Sequence, residues 1–335
     1  MLGHEEKYAY AVGRTRAVET KLLDRASIER MIDASDVSGA FKVLEEAGYI
    51  QVAACAKDLL SIDEVLDQEE LKLLQFIEET SPDKRLSRLI TLRHDYHNLK
   101  VLLKANIFNV SPVMAMSRLG TLSEDAICKA INGEMRELPA EFRSALKKVR
   151  ALYSQRSSPE VIDIVIDRAM HEALLDLAQT VGIQFLIRYV KTEIDFLNLL
   201  IFLRARKMRR DTWLVEHALV AGGNIDHRRL SQAYEDESQD ALMDVLSGTG
   251  YEFVARRGLN LLEEGGSLSE IEGFLEEIIS GLIREARYVP LGPEPLIGYI
   301  LAKQQELRIA RLVIAGKAAG VAGDSIRERL RDVYV

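Results

Sequence analysis

Apolar residues recur at three- and four-residue steps along almost the whole chain, the spacing of amphipathic α-helices. Tyr8, Val12, Thr15, Val18 and Leu22 mark an N-terminal helix. Ser27 is placed to cap the next helix, and Ser35 or Asp36 the one after. Three tracts then read as pairs of long helices. The first pairs 62–80 with 82–107 across Ser81-Pro82, and the second pairs 159–180 with 182–210 across Gly182. The third pairs 267–287 with 293–320 across the turn from Tyr288 to Pro293. No run shows the two-residue alternation of a β-strand.

The first two pairs are copies of one another. Asp67 to Ala105 lies on Asp167 to Ala205 without a gap, and about 10 of the 39 positions are identical. They are Asp67/Asp167, Leu74/Leu174, Thr80/Thr180, Leu86/Leu186, Arg88/Arg188, Asp95/Asp195, Asn98/Asn198, Leu99/Leu199, Leu103/Leu203 and Ala105/Ala205. Beyond each copy comes a short glycine-turn-helix element, Gly120-Thr121-Leu122-Ser123 and then Gly223-Asn224-Ile225-Asp226. Ser123 and Asp226 are placed as N-caps, and Gly323-Asp324 is the candidate for a third version. The pattern predicts an all-α chain of three similar helical modules, 27–132, 133–236 and 237–335, with an N-terminal helix at 4–26 closing against the third. Repeated blocks of this kind more often bind, brace or surround something than perform chemistry at one point.

Composition agrees. The chain has 335 residues, 47% of them hydrophobic, and only seven prolines, each where a helix could begin. A net charge of −8 argues against broad nucleic-acid binding, which needs a dominant basic field. Two cysteines, Cys55 and Cys128, build no disulfide framework and suit a reducing cytoplasm. Glu5, Glu6 and Lys7 stand where a signal peptide would be apolar. The longest apolar run, Leu199 to Leu203, is far short of the roughly 20 residues that span a bilayer.

The polar positions inside apolar helices carry the candidate chemistry. Asp95 and Asn98 share one helix face, as do Asp195 and Asn198, with Arg88 and Arg188 two turns earlier on that face. Glu306 takes the Asp position in the third module, but Ile309 replaces the Asn. Such stripes either line an opening or partner surface, or brace helix to helix, the carboxylate capping a neighbour and the amide bonding a free carbonyl. Basic residues gather at Arg204, Arg206, Lys207, Arg209 and Arg210, and again at Arg308, Arg311 and Lys317. They read as solvated helix ends or as docking points for acidic surfaces. His94 and His97 stand three apart without a third ligand and have no counterpart in the second copy, so no metal site follows. Gly316-Lys317 lacks the earlier glycine and the following Ser or Thr of a phosphate loop. No nucleophile–base arrangement and no cofactor site is readable.

Several segments in order resemble the C-subunit family of the V/A-type ATPases of archaea and bacteria, whose eukaryotic relative is the d subunit of the vacuolar ATPase. They are Tyr8 to Arg16 with Glu19 and Leu22-Leu23, Asp95 to Lys100, Arg188 to Leu199, and Pro290 to Ile297 followed by Ala302-Lys303, Glu306, Arg311 and Gly316-Lys317. Ile309 departs from the Asn usual in that family. The resemblance implies a pseudo-threefold funnel with a central opening, in the rotor of an H⁺- or Na⁺-pumping ATPase or ATP synthase. It implies a non-catalytic, torque-transmitting adaptor in one copy per complex, peripheral on the cytoplasmic side of the membrane. Its partners would be the central shaft subunits of D and F type and the membrane proteolipid ring, with no nucleic acid, metal or cofactor. On this reading Arg88, Asp95, Asn98, Arg188, Asp195, Asn198 and Glu306 face the funnel interior or hold its walls. Arg204, Arg206, Lys207, Arg311 and Lys317 contact the shaft or ring. A helical repeat scaffold for an unrelated partner stays open beside it, as does an enzyme with a central pocket.

Overall fold

Helices run unbroken except where proline, glycine and capping residues collect. The computed structural model describes residues 6–49, 59–111, 116–236 and 238–329. Cys55 and Pro112 lie outside them, as do Glu5 and the start of the N-terminal helix expected from residue 4. The chain begins with α1 (Ala9–Glu19), α2 (Arg25–Asp33), α3 (Val37–Glu46) and α4 (Leu59–Thr80). It continues with α5 (Arg88–Phe108), α6 (Glu124–Ile131), α7 (Ala140–Gln155), α8 (Pro159–Val181), α9 (Gln184–Met208) and α10 (Thr212–Ala218). There follow α11 (His227–Asp236), α12 (Gln239–Leu246), α13 (Glu252–Glu263), α14 (Ser269–Glu285), α15 (Glu294–Ala318) and α16 (Gly323–Arg329). The described residues contain no β-strand.

The six expected long helices are α4, α5, α8, α9, α14 and α15. α5 starts at Arg88 rather than 82, because Ser81 Oγ and the Asp83 carboxylate bond the local backbone and fold Ser81 to Asp83 into a turn. Gly182, at φ 80°, closes α8 in the left-handed conformation that glycine adopts without strain. α2 is capped by Asp24, whose carboxylate accepts from Ser27 N at 2.8 Å, and not by Ser27 itself. Asp36 caps α3 as expected.

The chain divides into two compact units, residues 87–266 and residues 1–86 with 267–335. In the first, α8 packs against α5, α7 and α9, while α9 also packs against α11 and α13. In the second, α15 is the axis and α1, α2, α3, α4 and α14 pack around it. The core of this second unit joins Leu23, Met31, Phe41, Leu44, Ile62 and Leu66 from the first quarter of the chain to Leu307, Ala310, Val313 and Ile314 of α15. The last long helix is thus sheathed by the first helices of the same chain.

α5, α9 and α15 end identically. Val110 N donates to Ala105 O, Arg210 N to Ala205 O and Val321 N to Gly316 O, at 2.9–3.1 Å. The residue before each, Asn109, Arg209 or Gly320, is left-handed. This is the helix-closing motif in which the sixth residue bonds back to the first. It fixes the register of the third repeat on the second: position 205 matches 316, so 195 matches 306.

Candidate functional site

The polar residues that the sequence singles out form a repeated clasp. On α5, Asp95 accepts from Thr121 N at 2.5 Å, Thr121 Oγ1 at 2.7 Å and Leu122 N at 2.9 Å. One turn on, the Asn98 amide donates to Ser117 O at 2.9 Å and accepts from Ser117 N at 2.8 Å. Ser123 then caps α6. On α9, Asp195 accepts from Ile225 N and from the Asn224 amide, both at 2.8 Å. Asn198 pairs with both backbone groups of Val220 at 2.8 Å. Asp226 then accepts from Arg228 N at 2.9 Å at the start of α11. Both clasps are buried, so each polar atom would be costly if left without its partner.

The glycines of the two elements have a steric reason. A Cβ on Gly120 would lie 2.6 Å from Asn98 Nδ2, and one on Gly223 would lie 2.2 Å from Asp195 Oδ1. Only glycine lets the loop lie flat on the carboxylate.

The third clasp closes on the other end of the chain. Glu306 of α15 accepts from Leu23 N, and its other oxygen accepts from Tyr49 OH at 2.5 Å and Lys303 Nζ at 2.6 Å. Leu23 immediately precedes the cap Asp24, as Leu122 precedes Ser123 and Ile225 precedes Asp226. The loop from Lys21 to Asp24 is therefore the third clasp loop, and Gly323-Asp324 is not. Asp324 is exposed at the start of α16 and pairs with Arg327. Ile309, where the other copies have Asn, is buried in the apolar core. In place of the amide pair, Lys303 bridges to Tyr49 OH at 3.2 Å and to Glu69 at 3.7 Å. Burial, and then the Glu306 charge, push the Tyr49 phenol well above its ordinary range. Burial likewise raises Tyr251, which bonds Asp195 at 3.4 Å, to about 12. Asp195 itself is raised by burial, against the bonds from Ile225 and Asn224.

The remaining candidates are dispersed. Arg88 is half-exposed and pairs with Glu141 at 3.1 Å, away from the Asp95 clasp, and Arg188 is exposed near the Phe185 ring. Arg206 donates to Ala233 O at 2.9 Å and lies over the Phe202 and Tyr234 rings. Lys207 donates to Gly266 O at 2.7 Å. Arg204 is exposed. Arg311 pairs with Asp63 at 3.1 Å, and Lys317 donates to Ile32 O at 2.7 Å and to Ala34 O, closing the end of α2. Sequence reasoning named Leu23 and Lys303 only among the segments that carry the family resemblance, and missed Asp24, Tyr49 and Glu69. The available signal was the Leu-Asp pair ahead of α2, which matches Leu-Ser at 122–123 and Ile-Asp at 225–226.

The buried carboxylates are engaged in holding loops and helix starts. Among the described residues, no group of three or more His, Cys, Asp or Glu side chains is arranged to hold a metal ion. His94 meets Ser117 Oγ at 2.8 Å instead. No described helix is long and apolar enough to cross a membrane.

Against known proteins, the model of the ATP synthase (C/AC39) subunit family matches residues 11–329. The chain belongs to that family. It is 24% identical over 320 residues to the C subunit of the V-type sodium ATPase of Enterococcus hirae, covering 95% of this chain and 96% of the relative. It is 25% identical over 343 residues to the C subunit of the A-type ATP synthase of Methanocaldococcus jannaschii, covering 96% of this chain and 86% of that one. The corresponding A-type ATP synthase C subunit of Haloferax volcanii is 25% identical, with 96% of each chain covered. As a member of the C/AC39 family, the chain is a non-catalytic subunit of a V/A-type rotary ATPase complex.

Proposed function

We propose that this C/AC39 family member is the rotor adaptor of its ATPase. It links the central shaft of D- and F-type subunits to the membrane proteolipid ring and transmits torque for coupled H⁺ or Na⁺ transport. It works as a single copy, peripheral on the cytoplasmic side, with its repeats arranged as a pseudo-threefold funnel around a central opening. The observation that carries this reading is the threefold recurrence of the carboxylate clasp on α5, α9 and α15, each followed by the same helix-closing turn. Three copies of one device, the third made from opposite ends of the chain, suit a body that closes on itself. A torque-bearing part gains from this, because loops bonded to a buried carboxylate have little freedom to give way. Asp95, Asn98, Asp195, Asn198 and Glu306 act by bracing the walls. Arg204 and Lys207 lie on the outside of a helix end, where acidic partner surfaces would meet them.

The test is binding of the purified chain to the two shaft subunits of its own organism's ATPase at several salt concentrations. Micromolar or tighter binding that weakens with salt is expected. Absence of binding at low salt, with all components folded, would favour a scaffold for another partner.

A further inference from the structure

The 87–266 unit carries an unusual end face. α5 and α9 are level with one another where Arg93 Nη2 bonds both oxygens of Glu193 at 2.7 Å, residue for residue at the repeat offset. α8 runs against both: Lys100 and Lys104 of α5 meet Asp167 and Asp163 in descending order, and Gly182 turns α8 into α9. The ends of α5 and α9 lie 15 residues beyond the Arg93–Glu193 pair, roughly 22 Å along each helix and on the same side. There Phe108 is 49% exposed, Val110 60% and Met208 60%. Large apolar side chains this open, at matching positions of two repeats, mark a contact surface better than they mark chance.

The border of this end is basic. Arg156 pairs with Asp211 and Arg210 with Glu160. Arg204, one helical turn before Met208, together with Lys207 and Arg209, places exposed positive charge around the methionine, on a chain whose net charge is −8. Arg209 is one of only two described non-glycine residues with positive φ, at 49°, the other being its counterpart Asn109. Glycine serves that backbone position best, and Gly320 occupies it in the third repeat. Stability alone gives no reason for an arginine there.

The geometry points to this end face, with Met208 and Phe108 as apolar anchors and Arg209 and Arg204 as the charged border, as the docking surface for a protein segment that presents an apolar side chain flanked by carboxylates. The inference rests on the rotor-adaptor reading and specifies which of its surfaces a neighbour in the complex occupies. A lipid surface fits less well. A helix that lies on a bilayer has a continuous apolar stripe along its length, whereas here the apolar residues are at helix tips.

A photo-cross-linking amino acid in place of Met208 or Phe108, in the full chain within the purified ATPase, tests this. Both positions are expected to cross-link to one and the same neighbouring protein, and Arg143, exposed on α7, is not. Met208→Glu and Arg209→Glu are expected to weaken retention in the complex by about tenfold or more, with the unfolding midpoint lowered only slightly by the carboxylate placed at the C-terminal end of α9. A chain that co-purifies with the complex but gives no protein cross-link from 108 or 208 would overturn the proposal and leave the adaptor role standing. So would cross-links to lipid alone, or binding to anionic vesicles that Met208→Glu abolishes. A chain that never co-purifies with the ATPase would remove the adaptor reading and this surface with it.

Discussion

Gly223 and Gly13 show how one residue type carries opposite consequences. Gly223 lies against the Asp195 carboxylate, and an added methyl would meet an oxygen of a group held by three donors. Gly223→Ala is expected to destabilise by about 1–3 kcal/mol, the range for breaking buried polar pairs. Gly13 sits within α1, where an added Cβ would meet open space. Gly13→Ala is expected to stabilise by roughly 0.5–1 kcal/mol through helix propensity. Urea unfolding of the two variants reads both signs; stabilisation by Gly223→Ala would refute the clasp geometry. The caps set a second prediction. Asp24 is held below the ordinary carboxylate range by its bonds from Ser27. Its contribution is therefore complete above the unfolded value of about 3.9 and is lost as the pH falls through the depressed one. Asp195 has the opposite sign: burial raises it, so the folded state gains as it takes up a proton earlier than the unfolded chain does. Asp24→Asn keeps a capping group without the charge. Its stability deficit relative to the parent should stay constant near pH 5 and shrink as the pH is taken down through the unfolded carboxylate value of about 3.9 to about pH 3.

The Arg93–Glu193 pair defines how two long helices are set beside each other, and it belongs to the element scale because its partners occupy the same position in two copies. Reversing one charge alone should cost about 1 kcal/mol, and exchanging both, Arg93→Glu with Glu193→Arg, should recover most of it. A double-mutant cycle showing no coupling would mean that the parallel register is not held there. How far such elements were legible varied. The long helices were readable because their apolar spacing, and proline and glycine at their boundaries, are local. The polar stripe was readable on Asp95, Asn98, Asp195 and Asn198, and so was the pair of glycine elements, because both recur at nearly fixed offsets. That these two features bond to each other was not, since a helix face does not disclose what lies on it. Arg88 and Arg188 share the spacing of the stripe but are exposed, and Arg88 pairs with Glu141 of α7 instead of joining the Asp95 clasp. The third clasp was least legible of all. Leu23 and Glu306 are 283 positions apart, the glycine is missing from its loop, Glu has replaced Asp, and Ile309 has removed the amide that would have drawn attention to it.

At the scale of the molecule, the discontinuity of one unit makes a firm expectation. Residues 87–266 contain two complete clasps with both their carboxylates and their loops. A fragment of those residues should fold on its own, with helical circular dichroism and one cooperative thermal transition. Residues 1–86 should not. Without α15 they lose Glu306, so Leu23 N and Tyr49 OH lose their acceptor, and Met31, Phe41, Leu44 and Ile62 lose the apolar face they cover. Each unmade buried bond costs about 1–3 kcal/mol, and the marginal stability of a small helical fragment cannot absorb several such losses. Mixing the 1–86 fragment with residues 267–335 should restore helicity and yield a heterodimer by analytical ultracentrifugation. Glu306→Leu in the second fragment should weaken that association while leaving the 87–266 fragment untouched. If residues 1–86 folded alone, the clasp at Leu23 would be an ornament on an independent bundle. If they fold only on α15, the two ends of the chain are bound into one unit, and loosening Glu306 in the full-length protein should raise hydrogen exchange in α2, α3 and α15 together rather than at Leu23 alone.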